Sequence, residues 1–360
     1  MDVKVVTGAN YGDEGKGMVA YSLAKEACRY NKNVLSILYN GGVQRAHTAN
    51  GQIIHCTGTG NICGGDTYYD EKFLLDPIAL WLTGTRVFIN PNCRVVLPCD
   101  VILNRKREIS RGTQKHGSCG MGIYQCVKRN RFGFELKAKD LREKDPFELY
   151  SFVQQMYKKF SSDCEDEVYN TDNFMRAVTF IINECSIVEL KELVLNYDTL
   201  IFEGGQGLLL DQANGKDFPH LTPSSVGSYN IHNTISNLGA DSTEVFYVSR
   251  SYMTRHGAGP MEDECRKEDI NPSIIDTTNI PNKWQDILRF GFLKTDSLLR
   301  RIKGDFNRYG DNVKANLVFT QLNYTNGKLA TGEGVFEEIS KPDFVTNIYL
   351  SDQKDVIEKV

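Results

Sequence analysis

The stretch Val3-Lys4-Val5-Val6-Thr7-Gly8-Ala9-Asn10-Tyr11-Gly12-Asp13-Glu14-Gly15-Lys16-Gly17 opens with a short apolar, β-branched run, passes through a glycine-spaced turn and leads into helix-forming residues. Glycines in such a turn let backbone N–H groups converge on an anion at a helix N-terminus, and Lys16 adds a point charge for phosphate. The turn is a candidate phosphate cradle. It is not the ordinary P-loop, because Gly17 stands where that motif places a hydroxyl on magnesium. Asp13 is the oxygen ligand available in its stead. The bland alternative is a strand-to-helix turn with an incidental lysine.

Further apolar runs, each ending in a glycine-rich or polar turn, follow at Val34 to Tyr39, Val87 to Ile89, Leu200 to Glu203, Glu244 to Val248 and Leu317 to Thr320. Between them lie helical patterns at Met18 to Arg29, Asp140 to Phe160, Phe174 to Leu195 and Asp296 to Ile302. This alternation predicts an α/β chain with a mostly parallel sheet covered by helices. Length leaves one large domain with excursions, or two, both open. Such sheets bind ligands outside the carboxyl ends of their strands, so the turns after the strands are the places to look. The polar, proline-bordered segment from Met261 to Lys283 reads as a long surface loop, and a lid over about 261–290 is expected.

Composition narrows the function classes. A chain of 360 residues with 41% hydrophobic and 24% charged residues has the proportions of a folding globular protein. A net charge of -4 argues against a broad basic surface for nucleic acid. No run approaches the ~18 apolar residues of a membrane span. Ten scattered cysteines without an export signal point to reduced thiols and a cytoplasmic protein, and none of the close pairs has zinc-knuckle spacing.

Four more turns carry chemistry-bearing residues. Asn40-Gly41-Gly42-Val43-Gln44-Arg45-Ala46-His47-Thr48 sets a histidine just past a strand end, where it can hydrogen-bond a substrate lying against the first turn. Phe202-Glu203-Gly204-Gly205-Gln206-Gly207 exposes an amide, which reads purine edges with a donor and an acceptor. Gly117-Ser118-Cys119-Gly120-Met121-Gly122 can form another nest of N–H groups, and Thr254-Arg255-His256-Gly257-Ala258-Gly259-Pro260 follows a further apolar run. A lone histidine is more often structural, so His47 gains weight only if its loop neighbours the first turn.

Taken together, Gly12-Asp13-Glu14-Gly15-Lys16-Gly17, His47-Thr48, Glu203-Gly204-Gly205-Gln206-Gly207 and Thr254 to Pro260 resemble adenylosuccinate synthetase, with matches in the same order from Val3 to about Asn323. The resemblance implies a large, mainly parallel central sheet, P-loop-NTPase-like, in a single elaborated domain over residues 1–360, and a ligase, generally a homodimer, that joins L-aspartate to carbon 6 of a 6-oxopurine nucleotide through a 6-phosphoryl intermediate. It implies that Asp13 removes the N1 proton, that His47 hydrogen-bonds the attacking oxygen, and that Lys16 with the loop amides holds the transferring phosphoryl. Asp13 and the carbonyl of Ala46 would ligate Mg²⁺. Gly12, Glu14, Gly15, Gly17, Gln321 and Asn323 would hold the triphosphate donor. Gln44, Ser118, Cys119, Gln206, Thr222 and His256 would line the purine nucleotide pocket, with Arg131 reaching into a partner subunit's site. Thr277, Thr278 and Arg289 would take aspartate.

Departures sharpen the expectation. Gln44-Arg45-Ala46 precedes His47 where the family has Asn-Ala-Gly, and the lid lacks the family's run of arginines. Thr320-Gln321-Leu322-Asn323 stands where GTP-using members carry Thr-Lys-Leu-Asp; the Asn323 amide can both give to and take from adenine, so ATP or dATP is the expected donor. A short chain with an adenine donor resembles the viral branch acting on dGMP. Viral members replace the loop aspartate with a small hydroxyl residue, whereas Asp13 is present here. IMP as acceptor, and a catalytically inactive nucleotide-binding regulator, remain alternatives.

Overall fold

The computed structural model describes residues 1–160, 166–276, 279, 284, 287–310, 312–352 and 356–360. Ten strands form the main sheet: β1 (Asp2–Gly8), β2 (Val34–Leu38), β3 (Asp66–Tyr69), β4 (Phe88–Ile89), β5 (Ser186–Ile187), β6 (Thr199–Gly207), β7 (Ser242–Arg250), β8 (Val313–Thr320), β9 (Asn347–Leu350) and β10 (Glu358–Lys359). Their spatial order is β10-β9-β8-β7-β1-β6-β2-β3-β4-β5. Every pairing is parallel except β9 with β10. The strand that opens the chain therefore sits near the middle, between β6 and β7.

The sheet is buried on both sides because successive side chains alternate between faces. Leu200, Phe202, Val245, Tyr247, Leu317 and Phe319 pack into one apolar cluster, while Ile201, Phe246, Val248 and Val318 pack into another. The second cluster includes Val19, Ala20, Leu23, Ala24 and Ala27 of α1 (Lys16–Arg29). A third gathers α2 (Pro77–Thr83), α3 (Pro98–Arg111), α4 (Ile123–Arg131), α5 (Pro146–Phe160) and α6 (Thr171–Glu184) against the β3 and β4 side. A final long helix, α7 (Thr295–Phe306), places Leu298 and Ile302 against the first cluster.

The fold is the mainly parallel, helix-covered sheet expected from the sequence, with local differences. The expected helix from Asp140 to Phe160 divides into Asp140–Glu143 and α5, because Pro146 disfavours helical backbone in the residue before it and starts a new helix of its own. The pattern from Phe174 to Leu195 stops at Glu184; Cys185 is extended, Ser186 and Ile187 join the sheet, and a four-residue helix follows at Leu190–Leu193. The Met261–Lys283 loop contains a strand at Glu264–Cys265 and a helix at Lys267–Ile270. Parallel strands send their carboxyl ends to one edge, so the turns after β1, β2, β6, β7 and β8 emerge together.

Candidate active site

All five glycine turns open into one cavity of about 1250 Å³, large beside the ~300–1,000 Å³ of common ligand pockets. Its lining includes Gly12, Asp13, Gly15, Lys16 and Gly17 after β1, and Gln44, Ala46 and His47 after β2. Gln206, His256, Thr222, Ser118, Cys119 and Arg131 complete the walls, with Gln321 and Asn323 beyond β8.

The first turn is built from left-handed backbone at Gly12 (φ 102°), Asp13 (φ 59°) and Gly15 (φ 96°), the last being the N-cap of α1. A short polar residue such as aspartate tolerates this conformation better than most. No side chain caps α1 at Gly15, so the first N–H groups of the helix remain available to an anion. Glu14 does not line the cavity. Its carboxylate accepts from Asn10 N (3.0 Å), Gly12 N (2.8 Å) and Lys16 Nζ (2.7 Å), and it occupies space that a Cβ on Gly8 or Gly207 would take. The glutamate expected at the nucleotide thus braces the turn from behind, and the Lys16 ammonium is already ion-paired.

His47 is neighbour to that turn: a Cβ on Gly17 would fall 2.5 Å from the Cβ of His47. Glycine at 17 is therefore a requirement of close approach. His47 Nδ1 lies 2.6 Å from Arg45 Nη2 and 3.3 Å from Glu203 Oε2, while Nε2 is buried without a protein partner. Burial, reinforced by the Arg45 charge, pushes the His47 pKa down to about 4 against the opposing pull of Glu203. The imidazole is neutral at physiological pH.

Asp13 and His256 form a second pair, with Oδ2 and Nδ1 2.9 Å apart across a sequence separation of 243. Burial would raise the Asp13 pKa, yet the His256 hydrogen bond and charge, with Arg250 and Lys16, lower it. Burial would likewise lower that of His256, but Asp13 raises it. Arg250 ties the turn to the loop beyond Ile270: Nε donates to the Asp13 carbonyl (2.6 Å) and Nη2 pairs with Asp276 (2.9 Å), whose carboxylate also accepts from Asn279.

The remaining expectations divide. Arg289 does not line the cavity; it pairs with Glu264 and donates to the carbonyls of Gly257 (3.1 Å) and Gly259 (2.8 Å), which spends its guanidinium on the neighbouring loop. Thr277 and Thr278 lie outside the described residues. Arg131, expected to reach a partner's site, lines the cavity of its own chain. Sequence reasoning quoted Arg255 in its motif but gave it no role; it lines the cavity, is buried over the Tyr11 ring at 4.6 Å and donates to the His220 carbonyl. Arg250 and Asp276 were missed. Their signal was faint, since charged residues at the end of an apolar run carry no partner assignment.

The adenylosuccinate synthetase family model matches residues 5–279. The chain belongs to that family. It is 30% identical over 286 residues to the adenylosuccinate synthetase of Psychrobacter arcticus, covering 72% of this chain but 64% of that relative's length. With the Aspergillus clavatus enzyme the identity is 25% over 285 residues, 74% of this chain and 66% of the other. The fold resembles a fully ligated adenylosuccinate synthetase from Plasmodium falciparum, with TM-score 0.71 and 18% identity, covering 99% of this chain and 87% of that one. It also resembles the cyanophage S-2L succinoaminodeoxyadenylate synthetase bound to dGMP and dATP, with TM-score 0.57 and 15% identity, covering 90% and 85% respectively.

Among the described residues no cluster of three or more histidines, cysteines or carboxylates forms a closed metal cage. Mg²⁺ keeps waters and phosphate oxygens and takes one or two protein oxygens. Asp13 and Ala46 both line the cavity. Among the described residues no helix is long and apolar enough to cross a membrane.

Proposed function

We propose that the chain is a carbon–nitrogen ligase that joins L-aspartate to carbon 6 of a 6-oxopurine nucleotide, using a nucleoside triphosphate to phosphorylate the 6-oxygen. One observation carries this reading: Asp13, Lys16 and His47 line a single cavity, with a neutral imidazole whose Nε2 has no protein partner. A carbonyl oxygen is a poor leaving group and must become a phosphate ester before an amine can displace it. Asp13, held ionised by His256, accepts the N1 proton. His47 donates from Nε2 to the oxygen as negative charge gathers there. The uncapped N–H groups at the start of α1 and Lys16 hold the transferring phosphoryl, so catalysis rests on positioning and electrostatics. Mg²⁺ bound by Asp13 and Ala46 would neutralise phosphate charge. The aspartate amine then displaces phosphate, and the homodimer of the family is expected.

The favoured acceptor is dGMP and the favoured donor ATP or dATP. Asn323 in the cavity wall supports the adenine donor, and the phage neighbour is a synthetase bound to dGMP and dATP. The retained Asp13 favours a second reading, in which IMP is the acceptor in AMP synthesis.

Incubation with L-aspartate, either ATP or GTP, and either dGMP or IMP, followed by mass analysis of the nucleotide, decides between them. We expect a succinylated product from dGMP with ATP. Product from IMP alone overturns the choice of acceptor, and absence of phosphate release with every purine nucleotide favours an inactive nucleotide-binding regulator.

A further inference from the structure

We infer that Arg45 is a positioning residue that fixes the tautomer of His47, so that the ring presents Nε2–H to the cavity. The inference deepens the ligase reading and rests on it for its catalytic consequence. Arg45 is completely buried at its side chain, an unusual place for a guanidinium. Its Nη2 donates to Glu203 Oε2 at 2.8 Å and contacts His47 Nδ1 at 2.6 Å, while Nη1 donates to the Thr57 carbonyl at 3.3 Å. The other oxygen of Glu203 is held by Thr59, through N at 2.7 Å and Oγ1 at 3.0 Å. Glu203 is thus anchored from both sides, and it anchors Arg45.

A guanidinium carries donors and no acceptor. At 2.6 Å from Arg45 Nη2, His47 Nδ1 can only be the acceptor, so that nitrogen carries no proton and the ring proton resides on Nε2. Glu203 Oε2, 3.3 Å from the same Nδ1, would favour the opposite tautomer. The two hydrogens of Nη2 serve Glu203 and His47 respectively, so the shorter contact prevails and the carboxylate is satisfied without the ring. Nε2 has no protein acceptor, which leaves its proton for a bound molecule. Without Arg45, Glu203 would draw the proton to Nδ1 and leave an acceptor facing the substrate oxygen, reversing the hydrogen bond the chemistry needs.

The first measurement needs no substrate. In protein labelled with ¹⁵N-histidine, with His47 assigned from the signals lost in His47→Asn, long-range ¹H–¹⁵N spectra should show Nδ1 unprotonated and Nε2 protonated. A proton on Nδ1 overturns the inference whatever the enzyme acts on. The second uses the paired variant Arg45→Met/Glu203→Gln, which removes both buried charges together. It should give mixed His47 tautomers and turnover lower by ~10–100-fold, the scale of a mispositioned donor, with the KM for purine nucleotide nearly unchanged. Arg45→Lys, which keeps a donor, should recover part of the turnover. Wild-type turnover in the paired variant defeats the positioning role. If that variant does not fold, the wild-type spectra still decide, and if wild-type protein releases no phosphate at all, the ligase reading fails while the tautomer remains measured.

Discussion

At the scale of single residues, His47 and Asn323 carry the sharpest expectations. His47→Ala removes one donor to the developing oxyanion and should lower turnover by ~10²–10³; phosphate release at saturating substrates checks it, and full activity would mean the ring has another role. Asn323→Asp exchanges an amide for a carboxylate that accepts from guanine's N1–H and 2-amino group, so the ratio of kcat/KM for GTP over ATP should rise; an unchanged ratio would remove the residue from base recognition. Much of this was legible in the sequence, because glycine turns after apolar runs mark ligand sites through backbone geometry. What was not legible is pairing across the chain. Nothing near residue 45 points to Glu203, and nothing near residue 13 points to His256; such partners are chosen by which strands lie side by side. Glu14 is instructive in the opposite way, since a carboxylate in a phosphate turn reads as functional, while the structure has it filling the gap between two glycines.

At the scale of elements, the long, strongly patterned strands were evident and the short ones were not. Asp66–Tyr69 opens with a charge and two residues earlier has a glycine pair, and Ser186–Ile187 is two residues long; neither is extended enough to show a period. The turn just after β3 yields a stability prediction. Burial pushes the Asp70 pKa up to about 7 from an ordinary 3.8, with Glu71 adding to the shift and Lys72 opposing it. The folded state then binds a proton that the unfolded chain has released. Stability from this group is therefore fully present below about pH 3.8 and is lost as pH rises toward about 7. The loss is at most ~4 kcal/mol. Asp70→Asn should flatten that slope and raise the denaturation midpoint at pH 8, measured by urea titration across pH; an unchanged slope would place the titration elsewhere.

At the scale of the whole molecule, the expected homodimer places Arg131 in question, because its own chain's cavity already receives it. If the dimer completes the site, specific activity should fall on dilution in step with the sedimentation coefficient; constant activity in a monomer would make each chain self-sufficient. The sheet order carries a different consequence for how the chain comes into being. β1 is flanked by β6 and β7, which begin at residues 199 and 242. At ~5–20 residues per second of synthesis, β1 waits ~10–40 s for its first neighbour. During that interval an apolar segment with both hydrogen-bonding edges open is exposed to misassociation. Production of this protein in its folded state should thus depend on chaperone capacity more than its final stability would suggest.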